Sequence, residues 1–475
     1  MTNGEADMAL NSVDEIFVEK LRNVLPGAAF LADPTGFLVE PRGRWSGRGV
    51  VVSPASVDEV SALMTACFGA HVPVVPYSGG TGLVGGQTVA EGPVPVILSL
   101  ARMNKVRAVY RHDNVIEVDA GVILADVQAA ASDVGRLFPL SLASEGSARI
   151  GGLLATNAGG LNVIRYGNAR VQCLGLEVVM ADGTIWNGMS RLRKDNTGYD
   201  LRDLMIGSEG TLGVITGASL RMMPRPADEA TALFVVPTPA AAVSLLSKAG
   251  EHLGESVTAF ELIHRQGFDF LDEAGLAYKA PFKEAPEWSV LMKVGLPVRR
   301  SAQGALEDLF ENAGDLILDG VIAQSVSQAQ DLWKIREMIP EGNRRIGAVS
   351  SHDISVPISC VPEFIALATA ILAKIGQFRI NCFGHLGDGN LHYNVFPMAG
   401  RSRVDHQDQR DAIKTAVHDL AHSFGGSVSA EHGIGRLKVT DLETYGDPAK
   451  LAMMRAIKDA LDPRGIMNPG AVLRA

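Results

Sequence analysis

The stretch Pro76-Tyr77-Ser78-Gly79-Gly80-Thr81-Gly82-Leu83-Val84-Gly85-Gly86 narrows the folds open to this chain more than any other. Clustered glycines carry no Cβ to block positive φ or close approach, so successive backbone N–H groups can converge on an anion. A diphosphate is the natural guest. Gly80-x-Gly82-x-x-Gly85 formally matches the dinucleotide fingerprint of a doubly wound fold, a match that should open a helix. Here it runs into Gln87-Thr88-Val89-Ala90-Glu91-Gly92-Pro93, which reads as loop, so the Rossmann fold and a nicotinamide-dependent dehydrogenase are set aside. A plain glycine-rich turn would hold about half the weight if this loop stood alone.

Two more loops shift that balance. Pro139-Leu140-Ser141-Leu142-Ala143-Ser144-Glu145-Gly146 leads into Ile150-Gly151-Gly152-Leu153-Leu154-Ala155-Thr156-Asn157-Ala158-Gly159-Gly160, and Gly207-Ser208-Glu209-Gly210-Thr211-Leu212-Gly213-Val214-Ile215 follows. Three glycine-rich, hydroxyl-bearing loops in one half can cradle a long ligand with a diphosphate, a sugar chain and a ring. One phosphate would not need so much exposed backbone.

Around these loops the pattern alternates between helix and strand. Ser56-Val57-Asp58-Glu59 has the form of a capping box, and Val57, Val60, Leu63, Met64, Cys67 and Phe68 continue at helical spacing. Val72 to Tyr77 reads as extended, and Val115 to Ala120 alternates as a half-buried strand should. Leu176 to Met180 and Thr184 to Trp186 read as a hairpin turned by Asp182-Gly183. Pro224-Arg225-Pro226 marks a domain boundary, since paired prolines stiffen a connector and stop regular pairing. Beyond it, helices alternate with strands such as Trp288–Val294 and His352–Val356, the pattern of an α+β domain with helices packed on one sheet. Gly425 to Gly435 then precedes a last helix and the closing Asn468-Pro469-Gly470.

The second half carries the chemistry. Asn381-Cys382-Phe383-Gly384-His385-Leu386-Gly387-Asp388-Gly389-Asn390-Leu391-His392-Tyr393-Asn394 sets two histidines around a Gly-Asp-Gly turn. On one straight strand their odd separation would put them on opposite faces. A reversal at Gly387–Gly389 brings both imidazoles to one spot. Glu431-His432 follows in Ser429-Ala430-Glu431-His432-Gly433-Ile434-Gly435. Two histidines and a glutamate, with a position left for substrate, form a ligand set proper to catalytic zinc. The spacing is not one of the short zinc motifs, and any single histidine here reads better as a hydrogen-bonded turn residue. Together they favour a site.

The three loops resemble the FAD-binding domain of the vanillyl-alcohol oxidase / p-cresol methylhydroxylase superfamily, and Gly384–His392 with Glu431-His432-Gly433 resembles the active-site signatures of its D-lactate and D-2-hydroxyglutarate dehydrogenases. The likeness spans nearly the whole chain. It implies an α+β protein: a two-subdomain FAD-binding domain over 1–225, a substrate (cap) domain with an antiparallel sheet over 226–424, and a C-terminal helical segment over 425–475 returning to the FAD. By the same resemblance Pro76, Tyr77, Ser78, Gly79, Gly80, Thr81, Gly82, Pro139, Ser141, Leu142, Ser144, Gly146, Gly151, Thr156, Asn157, Gly159, Glu209, Gly210, Gly213, Ile215 and Asn468 line the cofactor. Relatives with covalently bound flavin often carry a histidine where Thr81 stands, which implies a dissociable FAD.

Carried over in the same way, His385, His392 and Glu431 bind a divalent metal, expected to be zinc, that grips the substrate hydroxyl and C1 carboxylate. His432 is the general base, Asn394 orients the substrate, and Arg336 clamps a carboxylate with two parallel hydrogen bonds. Hydride then passes from C2 to flavin N5. In the hydroxyglutarate dehydrogenases a threonine four residues beyond this arginine and a lysine before the next strand hold the distal carboxylate. Pro340 and Ser351 take those places here, so that subsite is altered and the acid could be hydroxyglutarate, lactate or malate. The resemblance further implies an electron-transfer flavoprotein or a quinone as electron acceptor, and it leaves a homodimer open. An oxygen-using flavin oxidase of another alcohol or acid, and a flavin- or metal-binding module without chemistry, are the competing readings.

Composition excludes other classes. The 43 basic and 53 acidic residues of this 475-residue chain leave a formal charge of −10, which offers nucleic acid no overall basic surface. Cys67, Cys173, Cys360 and Cys382 form no CxxC pair, so a disulfide framework is not expected and a cytoplasmic, reducing setting fits better. Glu5, Asp7, Asp14 and Glu15 do not make a secretory signal, and no uninterrupted apolar run approaches the ~20 residues of a membrane span. Peripheral membrane contact stays open.

Overall fold

The computed structural model describes residues 9–297 and 300–474, so Glu5 and Asp7 lie outside the described residues. The chain divides into two compact units. The first runs up to Gly159, resumes over Asn168–Arg225 and closes with the segment from Glu431 onward; the second comprises Gly160–Gly167 and Pro226–Ala430.

In the first unit, strands β1 (Val50–Val52), β2 (Val74–Tyr77) and β3 (Val96–Ser99) form a parallel sheet in the order β1-β3-β2. The helix Val57–Ala70 starts where its sequence says it should, with Ser56 Oγ accepting the Glu59 N–H. Glu59 reaches back one residue further than a capping box requires, to the N–H of Ala55 at 2.8 Å. Val60, Leu63, Met64 and Cys67 bury the expected face of this helix.

Strands β4 (Val106–Tyr110), β5 (Val115–Asp119), β6 (Arg136–Leu137), β7 (Cys173–Val179), β8 (Ile185–Gly188), β9 (Val214–Arg221) and β10 (Met223–Pro224) complete this unit. Five of them make an antiparallel sheet in the order β4-β5-β9-β7-β8, with the β7–β8 hairpin as expected and Gly183 at φ 93° in its turn. Two expectations need correction. β5 is not half-buried: it lies inside the sheet, and of its residues only Glu117 is partly exposed. Its acidic Asp119 is accommodated because Arg107 donates to it at 2.7 Å and to Glu177 at 2.8 Å. Nor do the prolines abolish pairing, since Pro224 sits opposite Arg136 in the short β6–β10 ladder, an edge position that needs no proline N–H. At the far end two helices, Val439–Tyr445 and Pro448–Leu461, stand where one was read, and Met467 bridges to Val74 of β2. The C-terminus thus returns to the first glycine loop.

The second unit is one seven-stranded sheet made of β11 (Asp228–Val236), β12 (Val257–His264), β13 (Trp288–Leu296), β14 (Asp319–Ile322), β15 (Ser350–Ser355), β16 (Arg379–His385) and β17 (Asn390–Phe396). Its order is β14-β11-β13-β12-β16-β17-β15, with every neighbouring pair antiparallel. Alternation divides the strands between two faces. Phe260, Leu262, Cys382, Leu391, Tyr393 and Val395 meet the helices Pro239–Leu253, Ala302–Asn312, Val361–Ile375 and Arg410–Ser423 in the larger core. Ile263 and Phe383 meet Arg265–Glu273 and Val326–Ile346 on the other face. The stretch Ile358–Ile375 is long and apolar enough to cross a membrane by length and composition alone. Its Val361, Phe364, Ile365, Ala368 and Leu372 recur at helical spacing and are buried, which is the pattern of a core helix.

Candidate functional site

In the first unit the glycine loops border a cavity that is partly open to solvent. Pro76, Ser78, Gly79, Gly80, Thr81 and Gly82 border it from the first loop, Gly151 and Thr156 from the second, and Glu209, Gly210, Gly213 and Ile215 from the third. Asn468 and His432 complete the border. Among the described residues, the N–H groups of Gly79, Gly80, Thr81 and Gly82 donate to no acceptor in the chain. Four neighbouring backbone donors without partners, facing a cavity, are what a diphosphate requires. Gly79 is needed for the loops to approach, because a Cβ there would stand 2.7 Å from Ser147 O. These observations fit a dinucleotide such as FAD.

Other residues read as cofactor-lining take supporting places and do not border the cavity. Tyr77 packs its ring on Phe37, with centroids 4.9 Å apart. Asn157 holds φ 50° and accepts the Arg170 N–H, so it shapes the turn after the second loop, ahead of Gly159. Pro139, Ser141, Leu142, Ser144 and Gly146 belong to a turn in which Ser144 O accepts from Ser147 and Ala148, and Ala148 in turn borders the cavity. Arg149 and Gln87, which sequence reasoning missed, also border it, and Gln87 Nε2 donates to the carbonyls of Gly80 and Gly82.

Glu209 does more than line the cavity. Its carboxylate accepts the N–H groups of Ile434 and Gly435, each at 2.7 Å, and so anchors the loop that carries Glu431 and His432. Burial pushes this carboxyl above its usual range, against the pull of those two donors. Arg436, also missed, ties the same loop to the carbonyls of Gly85 and Gly86 and to Asn468 Oδ1. Glu209→Ala is expected to weaken FAD binding about 10- to 100-fold, since two buried donors lose a charged acceptor worth about 1.5–3 kcal/mol. Flavin fluorescence on dilution measures this, and affinity within twofold of the parent would refute it.

In the second unit the polar residues gather on the sheet face left open beside the helix Val326–Ile346. Glu261 on β12 stands opposite His385 on β16, and Phe383 opposite His392 on β17. The reversal through Leu386–Asp388, with Gly389 at φ 79°, puts both imidazoles on this face with ring centroids 5.8 Å apart, as the sequence reading expected. His385 Nδ1 lies 2.7 Å from Glu261 Oε1. Arg336 Nε donates to Glu261 Oε2 at 2.8 Å, and its guanidinium lies over the Phe383 ring at 4.7 Å. Burial alone would raise the Glu261 carboxyl, but the charges of His385 and Arg336 outweigh it and hold the group at about 2. Asn394, on the same face, accepts the His352 N–H at Oδ1, which leaves Nδ2 as a donor. Ser351 is the cross-strand neighbour of Asn394 and is exposed, and Pro340 lies one helical turn beyond Arg336.

Ala430 donates to Asp353 O, and Asp353 is the cross-strand partner of His392. His385 and His392 present two candidate metal-ligating imidazoles on one face of the sheet. Two imidazoles on one face, one of them oriented by a carboxylate behind it, fit a divalent cation of the zinc type.

Comparisons with known proteins point to a flavin-dependent family. Residues 49–188 match the family described as FAD binding domain, and residues 225–472 match FAD linked oxidases, C-terminal domain. Over 97% of its length the chain is 36% identical to D-2-hydroxyglutarate dehydrogenase, mitochondrial, of Bos taurus, covering 84% of that protein. It is 37% identical to D-2-hydroxyglutarate dehydrogenase of Xanthomonas citri pv. viticola, covering 90% of each. Among solved structures it resembles p-cresol methylhydroxylase with substrate bound, at TM-score 0.77 and 16% identity, over 98% of this chain and 99% of that one. With both halves of the sequence in agreement, the chain belongs to the FAD-linked oxidases, and its fold is that of p-cresol methylhydroxylase.

Proposed function

We propose that this protein is an FAD-dependent dehydrogenase that oxidises a D-2-hydroxy acid to the 2-oxo acid. The observation that carries the reading is the pair of imidazoles, His385 and His392, held together on one sheet face with the Glu261 carboxylate behind His385. Bound FAD supplies a hydride acceptor at N5, held without a covalent link because Thr81 offers no nucleophile of the usual kind. A divalent metal, zinc by its donor set, supplies a Lewis acid for the hydroxyl and C1 carboxylate.

The remaining work falls to this chain's own residues. His432 takes the proton from the C2 hydroxyl oxygen. Arg336 grips a carboxylate with its terminal nitrogens, and Asn394 Nδ2 donates to a substrate oxygen. The names of the relatives support D-2-hydroxyglutarate as first substrate, with D-lactate and D-malate as the shorter candidates. Pro340 and Ser351 offer no cation, so a distal carboxylate is held by other donors here than by the threonine and lysine of the family pattern. The electron acceptor is a flavoprotein or quinone.

Anaerobic mixing with D- and L-2-hydroxy acids tests the proposal directly. The flavin absorbance is expected to bleach with D-acids and to persist with L-acids. A flavin that stays oxidised with every D-acid tried removes the reading. Stoichiometric peroxide in air would move it to an oxidase.

A further inference from the structure

Glu261 is announced neither by the glycine loops nor by the histidine motifs. It sits in Val257–His264, an apolar strand, and its side chain is only 1% exposed. A carboxylate taken out of water at such a position costs several kcal/mol before its partners repay it, and well-packed apolar residues often replace buried ion pairs without loss. Packing therefore gives no reason for an acid here. The partners do: one carboxylate oxygen faces His385 Nδ1 and the other faces Arg336 Nε.

We propose that Glu261 is a positioning residue that couples metal binding to substrate binding, fixing His385 as an Nε2 ligand with one oxygen and Arg336 as a carboxylate clamp with the other. This rests on the roles given to His385 and Arg336 above. A carboxylate at Nδ1 keeps the proton on that nitrogen, which leaves the Nε2 lone pair for a metal. Across the pair, the Arg336 Nε–H is spent on Glu261, and the ring of Phe383 supports the guanidinium. Among the described residues the two terminal nitrogens of Arg336 have no hydrogen-bond partner, so both can donate to a carboxylate. Only a carboxylate offers two acceptors and no donor. An amide of the same shape can satisfy one neighbour and must turn an N–H toward the other.

That asymmetry supplies the test. In Glu261→Gln the charged Arg336 claims the amide oxygen, and the amide N–H₂ meets His385 Nδ1. The histidine then carries its proton on Nε2, where it cannot bind metal. Zinc affinity of the metal-free protein, measured by competition with a chromogenic chelator, is expected to fall 10- to 100-fold with flavin content unchanged. The double variant Glu261→Gln, Arg336→Met frees the amide oxygen for His385. Zinc affinity should then return to within about threefold of the parent, while KM for the hydroxy acid stays raised. A purely structural role for Glu261 predicts no such recovery. Should the single variant fail to fold around its unpaired cation, the double variant, which lacks that cation, carries the test alone. Zinc affinity unchanged in Glu261→Gln, or not recovered in the double variant, overturns the coupling. A parent protein that binds no divalent cation at all overturns the functional reading instead.

Discussion

Replacing His432 by alanine is expected to slow flavin reduction by a saturating D-2-hydroxy acid about 10²–10⁴-fold, with FAD still bound. The size follows from the role: a positioned general base is worth that factor, or about 2.7–5.5 kcal/mol of barrier. FAD should stay because the backbone around His432 is held by other groups. Ile434 and Gly435 remain bonded to Glu209, and Arg436 remains bonded to Gly85 and Gly86. Single-turnover stopped flow under argon reads the rate, and the flavin spectrum of the purified variant reads cofactor content. If His432 served only to pack the loop, the variant would lose flavin and keep its rate per bound flavin. A rate within threefold of the parent would take His432 out of the reaction.

Removing the metal is expected to have an effect of the same order. A Lewis acid on the substrate oxygen is worth several kcal/mol, so a chelator that leaves FAD in place should cut substrate-dependent bleaching on the order of 10³-fold. Added zinc should restore it, and other divalent ions that accept nitrogen and oxygen ligands should restore it to differing degrees. His385→Ala should show the same loss without rescue by added metal, since one of three ligands is gone. Elemental analysis must accompany the rates. Full bleaching in protein shown to be free of metal would end the metal-assisted scheme while leaving the flavin assignment intact.

The two predictions draw on parts of the chain that were unequally legible. The glycine loops declare themselves because positive φ and free N–H groups demand glycine, and the cavity bordered by Gly79, Gly80, Gly151 and Gly210 follows from that chemistry. The turn at Gly387–Gly389 is legible for the same reason, which made the meeting of His385 and His392 predictable from seven residues of spacing. Glu261 was not legible. It lies 124 residues from His385 and 75 from Arg336, and its neighbours in sequence are those of any buried strand. An acid inside an apolar strand was the one available signal. Arg436 hid in a similar way, its four acceptors being scattered over two distant loops.

Local rules also erred where the sheet context outranked them. Val115 to Ala120 alternates like a strand with one wet face, yet both faces of β5 are covered: Ile116 and Val118 enter the hydrophobic core, and on the other face Arg107 neutralises Asp119. Alternation reports which side chains are polar, and a buried partner can satisfy a polar side chain as well as water can.

The order of residues by itself determined which segments turn, which leave backbone N–H groups clustered and which set imidazoles and carboxylates close together in sequence, since each of those depends on φ, on spacing or on side-chain chemistry within a short stretch. The tertiary structure alone decided which distant acid stands behind His385, which nitrogen of that ring faces it, and what holds Arg336 in place. Those matters depend on strand order and register, and pairings between residues a hundred positions apart are set by the packing of the whole sheet.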